Sequence, residues 1–168
     1  SFPDNHLEDT EMAMRLCFSI DNPIIPEDLL TLVLSEPRMQ LPQDSPRWRR
    51  ERSDGLPPIV ESHVVTPELD FLVTVSAKGK EWREMIAETT GVSPRVGLMV
   101  RYEPDEVDSK EFDKLFAYLL RQLEGDALIT VDDASPMLLR KDRLITIEPD
   151  TFFNTDASLR AELPPPVK

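Results

Sequence analysis

The residues of this chain that could do chemistry are few: two histidines, one cysteine and a large surplus of carboxylates. Nucleophilic catalysis needs a serine, cysteine or threonine beside a base, most often histidine. His6 sits among acids near the start and His63 in an apolar stretch, and neither is framed by a nucleophile motif. His63 therefore reads as a residue on a sheet surface. Cys17 alternates out of an apolar set, where a small packed cysteine is a plainer reading than a reactive thiol. Asp132-Asp133 follow an apolar segment, and carboxylates at a strand end can bind a divalent cation or serve as an acid-base pair. Adjacent residues on an extended chain point to opposite sides, however. No further acid and no glycine-rich phosphate loop is spaced to help them, so the pair reads as an acidic turn. No catalytic residue, metal ligand set or cofactor is expected.

The carboxylates carry more information as a surface. Glu103, Asp105, Glu106, Asp108, Glu111 and Asp113 form a run in which Lys110 is the only basic residue. Acids at a helix N-terminus stabilise its dipole by about 0.3–1 kcal/mol each, which accounts for part of the run but does not require six. Glu103, Asp105, Glu106 and Asp108, with Asp132 and Asp133, are the expected docking surface for a basic partner. The stretch Arg47-Trp48-Arg49-Arg50-Glu51-Arg52 has an interleaved aromatic that could stack on bases. Whole-chain charge opposes that. The stretch is expected to fold onto the protein's own acids or to offer Trp48 and Arg49 as interface anchors, residue types enriched at binding hot spots.

That charge is −13 at neutral pH, with a sequence pI of about 4.5. The summed field repels phosphate backbones and anionic lipid, so neither nucleic acid nor a membrane is expected as a partner. Solubility alone can explain an acidic surface, yet the same field also speeds encounter with a basic protein. The lone Cys17 and the lack of a cysteine-histidine ligand set suit a reducing compartment. No apolar run approaches the length of a bilayer span and the start lacks the order of a signal peptide, giving a cytoplasmic expectation. The chain begins at Ser1 rather than methionine, which implies processing upstream.

The elements that must position these residues follow from periodicity. Residues 1–11 read as a flexible acidic leader, 12–150 as one α+β domain and 151–168 as an extended proline-rich tail. Met12, Met14, Leu16, Phe18 and Ile20 alternate as in a half-buried strand. Pro26 opens a helix that Pro37 ends. Residues 36–58 hold five prolines and read as a long loop or an excursion with short strands. Strands are expected over Ile59–Val65, Leu69–Val75 and Arg95–Tyr102, and a short amphipathic helix over Lys80–Thr90 that Gly91 stops. The clearest helix runs from about Asp108 to Leu123, with Phe112, Leu115, Phe116, Leu119, Leu120 and Leu123 on one face. Three strands follow, within Ala127–Val131, Met137–Leu139 and Leu144–Ile147. Together these give a mainly antiparallel sheet with about three helices packed mostly on one face.

The segments Thr90-Gly91-Val92-Ser93-Pro94-Arg95-Val96, Leu119-Leu120-Arg121-Gln122-Leu123-Glu124-Gly125-Asp126-Ala127 and Leu138-Leu139-Arg140-Lys141-Asp142-Arg143-Leu144, with the strand to Tyr102 and the acidic linker between them, resemble the immunity proteins of Sit-type bacterial toxin systems. The resemblance covers about Thr90 to Ile147, with a weaker echo in the first strand and helix. It implies a cytosolic antidote that binds and neutralises a toxin delivered by neighbouring cells and needs no catalytic residue. Asp132-Asp133-Ala134-Ser135-Pro136 departs from the shorter polar turn of that pattern.

The expectation is thus an immunity protein that occludes the active or substrate site of a cognate toxin with a basic surface, its own oligomeric state left open. Two alternatives stand beside it. An acidic secretion chaperone would hold an effector segment, and a metal-dependent hydrolase would use Asp132, Asp133 and the acids of Glu103 to Asp108.

Overall fold

A computed structural model describes residues 13–132 and 136–168; the 1–11 leader and Asp133 lie outside them. Eight strands, β1 (Met14–Ile20), β2 (Arg47–Arg50), β3 (Ile59–Val65), β4 (Asp70–Ala77), β5 (Val96–Tyr102), β6 (Ala127–Val131), β7 (Pro136–Lys141) and β8 (Leu144–Ile147), make a single sheet in the order β2-β3-β4-β5-β1-β6-β7-β8. Every neighbouring pair is antiparallel. The first strand is therefore central, with Phe18 opposite Leu98 of β5 and Ile129 of β6.

Helices α1 (Pro26–Leu34) and α3 (Lys110–Gln122) cover one face. The period-two pattern of β1, β4 and β5 sends Leu16, Phe18, Ile20, Phe71, Val73 and Val100 to that side, all buried. Leu29, Leu30, Val33 and Leu34 of α1, and Phe112, Leu115, Phe116, Leu119 and Leu120 of α3, meet them at helical spacing. Aromatic rings lock the register: Phe112 stands edge-on to Phe71 at 5.1 Å and Phe18 stacks with Phe116 at 5.9 Å.

The α+β expectation holds, but the helices differ in number and placement. Among the described residues there are five, and α2 (Lys80–Thr90) lies on the opposite face of the sheet, where it buries none of its residues. Its end is as read from the sequence: Gly91 takes a left-handed φ of 78° and donates its N–H to the Ala87 carbonyl. The tail is corrected too. Residues 151–168 are not an extended segment, since α4 (Phe152–Thr155), α5 (Ala157–Arg160) and the turn after them bury Phe153, Leu159 and Leu163 in the main core. Asp156 caps α5 by accepting the N–H groups of Ser158 and Leu159, and Arg38 pairs with Glu162 to pin the segment beyond it. Among the described residues, no helix is long and apolar enough to cross a membrane.

The segments 119–127 and 138–144 meet in space. Arg140 of β7 is buried, and its guanidinium donates to the carbonyls of Leu120, Leu123 and Gly125 at 2.8, 2.7 and 2.8 Å. The first two are carbonyls that the C-terminal end of α3 leaves without helical partners, and the third belongs to the turn that follows it. Asp126 accepts from Lys141 Nζ and from the Asp142 N–H, both at 2.9 Å, fixing the two-residue turn in which Asp142 and Arg143 have φ of 50° and 75°. A side chain on Gly125 would lie 2.2 Å from the Asp21 carbonyl oxygen, so only glycine fits there. Replacing Arg140 with methionine is expected to lower the unfolding free energy by about 2–4 kcal/mol, as three carbonyls lose a charged donor; Arg140→Lys, which keeps the charge but lacks the fork, recovers only part of that loss in urea titration.

Candidate functional site

The structure gathers most of the expected acidic surface at one end of the sheet. Glu103, Asp105, Glu106 and Asp108 occupy the link from β5 to α3, with the last three exposed. Asp132 follows β6 and is also exposed. Its side chain accepts the Arg15 N–H at 2.9 Å, and its own N–H donates to the Arg15 carbonyl, so the start of β1 holds it in place. Asp108 accepts the Lys110 N–H at 3.0 Å, as a residue at the mouth of a helix does. Among the described residues, none of these five carboxylates is in an ion pair.

Tyr102 ends β5 beneath this surface and is 2 % exposed. Burial pushes its phenol up to about 12; a hydrogen bond with Ser109 opposes the rise, and the charges of Asp113, Asp132 and Asp108 add to it. The link and the β6 turn are thus brought together although Asp108 and Asp132 are far apart in sequence. One member of the acidic run turns inward instead. Asp113, on the core side of α3, is 4 % exposed, and burial with the nearby Asp108 charge raises its carboxyl to about 7 against the pull of Lys110.

Trp48 and Arg49 are not part of this surface. They lie on β2, at one edge of the sheet, separated from β5 by β3 and β4, about 14 Å at ordinary strand spacing. Arg49 pairs with Glu27 at 3.0 Å and Glu51 at 3.2 Å. The basic stretch has folded partly onto the protein's own acids.

His63 on β3 and Asp70 on β4 form a pair, Nε2 to Oδ1 at 2.6 Å. A base held by a carboxylate is two thirds of a nucleophilic triad, but among the described residues no serine, threonine or cysteine bonds to the ring. Among those residues also, no three histidine, cysteine, aspartate or glutamate side chains gather where they could hold a metal ion.

Sequence reading missed a groove. Helix α2 stands across the sheet face that the core does not use, leaving about 800 Å³ between them. Its floor includes Cys17, Ser19, Thr74, Ser76 and Met99, its wall Trp82, Met85 and Ile86, and one end Arg50, Arg52 and Lys78. The alternation that buried Phe18 placed Cys17 and Ser19 here. A signal was present in α2: Trp82, Met85 and Ile86 make a narrow apolar stripe among Lys80, Glu81, Arg83, Glu84 and Glu88, too narrow to seat a helix tightly.

The Asp113 carboxyl supplies a pH test. Its folded-state pKa lies above the ordinary 3.8, so the unfolded chain releases its proton first. This group's contribution to stability is complete below about pH 4 and declines as pH rises towards 7. Asp113→Asn is expected to remove that decline, so that urea midpoints of the variant gain on those of the parent between pH 5 and pH 8; parallel midpoints across this range would contradict the assignment.

Compared with protein-family models, curated proteins and solved structures, the chain matches none.

Proposed function

We propose that this protein is an immunity protein that neutralises a cognate bacterial toxin by covering its active or substrate site. The observation that carries the reading is the cluster of Glu103, Asp105, Glu106, Asp108 and Asp132, drawn from two separate links onto one end of a single sheet and left without intramolecular ion pairs among the described residues. Unpaired carboxylates on a rigid support keep their full field for an incoming basic surface. Where a chain needs acids only for solubility, spreading them serves as well.

Occlusion asks for a pre-formed surface and no reacting group. The link between β5 and α3 is anchored at both ends, by Tyr102 in the core and by Phe112, the first buried apolar residue of α3. Its own turn is closed by the Val107 N–H donating to the Glu103 carbonyl at 3.2 Å, with Val107 buried beneath. Binding would therefore order little that is not ordered already, which preserves affinity.

The expected partner is a toxin encoded beside this gene, with a basic groove at its active site. Calorimetry with such a toxin is expected to give a tight complex that weakens as salt is raised. Asp105→Lys combined with Glu106→Lys is expected to lower affinity by about tenfold or more, chiefly by slowing association, with the urea midpoint unchanged because both side chains are exposed. Trp48→Ala tests whether the β2 edge takes part. No binding to any neighbouring gene product, or binding insensitive to both salt and charge reversal, would remove the reading.

A further inference from the structure

We infer that the groove between α2 and the open sheet face is a binding site for a small amphipathic anion, an apolar body carrying one carboxylate. The inference rests on how charge and apolar surface are arranged, and it is independent of the acidic edge at the other end of the strands.

Two rows of side chains cross the floor. In the first, Arg50, Ile59, Ser76, Gly97 and Ser19 stand side by side on β2, β3, β4, β5 and β1; in the second, Thr74, Met99, Cys17 and Thr130 do the same on β4, β5, β1 and β6. The hydroxyls give a floor that can accept and donate, and α2 supplies an apolar wall. At about 800 Å³ the space lies within the range of small-molecule sites, which are mostly apolar with a few placed polar groups.

Cations outnumber carboxylates. Arg50, Arg52 and Lys78 line the groove, and the acid beside them, Glu61, is buried on the same face, where it accepts from Thr74 Oγ1 and pairs with Arg50, in a chain whose net charge is −13. These cations collect at the β2–β4 end. Lys78 is set there by Gly97: a side chain carbon at that position would lie 2.8 Å from Lys78 Cε and 2.8 Å from Ser19 Oγ. The missing side chain makes a notch for the lysine stem, and its ammonium ends 4.8 Å over the Trp82 ring and 3.4 Å from Ser76 Oγ. Arg50 is held by Glu61 at 3.3 Å and Arg52 by the Pro57 carbonyl at 2.8 Å. The opposite end is lined by Leu128 and Pro136. A ligand with a carboxylate at the cationic end and an apolar chain running under Met85 and Ile86 fits both halves. A cationic or strongly hydrated ligand fits neither.

Laurate, below its micelle concentration, is the probe. It is expected to bind one per protein by calorimetry and to slow alkylation of Cys17 by iodoacetamide, since that thiol is the only cysteine and lies on the groove floor. Dodecyltrimethylammonium, with the same chain and opposite charge, is expected to give neither effect. Lys78→Met keeps the stem and removes the charge, and Met85→Glu places an acid on a side chain already 53 % exposed; each is expected to weaken laurate by about tenfold without lowering the urea midpoint. No heat and no protection of Cys17, equal binding of the cationic detergent, or unchanged affinity in both variants would each overturn the inference.

Discussion

Alternation along β1 is the constraint on which the rest of the structure depends. Leu16, Phe18 and Ile20 point to the helices while Arg15, Cys17 and Ser19 point away, and because β1 lies at the centre, its two faces set the character of both sides of the sheet. A shift of one residue would send the apolar set into the groove and the polar set into the core. The pairings with β5 and β6 on either side, with Phe18 matched to both Leu98 and Ile129, exclude that shift.

From this follows a separation of charge within an acidic molecule. Among the described residues, the strand ends near Tyr102 carry carboxylates outside any ion pair, and the face beneath α2 carries cations at one end, one of them paired with Glu61, and hydroxyls and apolar groups elsewhere. Gly97 and Tyr102 are five residues apart on β5, about 17 Å at the strand rise, so the fields of the two regions are largely screened from one another in physiological salt. One scaffold can thus present two surfaces of opposite preference. The buried Arg140 supports both indirectly, because it closes the end of α3 against the hairpin of β7 and β8.

Most strands and the three longer helices were legible because their patterns are periodic and bounded by Pro23, Pro37, Gly91 and Gly125. Three things were not. The side of the sheet that α2 occupies is a tertiary choice, and its narrow apolar stripe was compatible with either face. The pairing of Arg47–Arg50 as β2 was hidden by prolines on both sides and by a basic sequence with no alternation of its own. The short helices α4 and α5 fall below the length at which helical period is readable, and the prolines that follow them favoured an extended reading. For the candidate site, the run Glu103 to Asp108 was legible as local charge density. Its meeting with Asp132 depended on the strand order β5-β1-β6, and the inward turn of Asp113 on the phase of α3, which Phe112 and Phe116 set.

Under the proposed function, the acidic end of the sheet is where another protein docks. Amide hydrogen exchange of this protein, alone and mixed with the toxin encoded beside it, tests that claim most directly. Slowed exchange confined to residues 103–108 and the turn after β6 is the predicted result. Slowed exchange at α2 or the β2 edge with no change at the acidic end would contradict it.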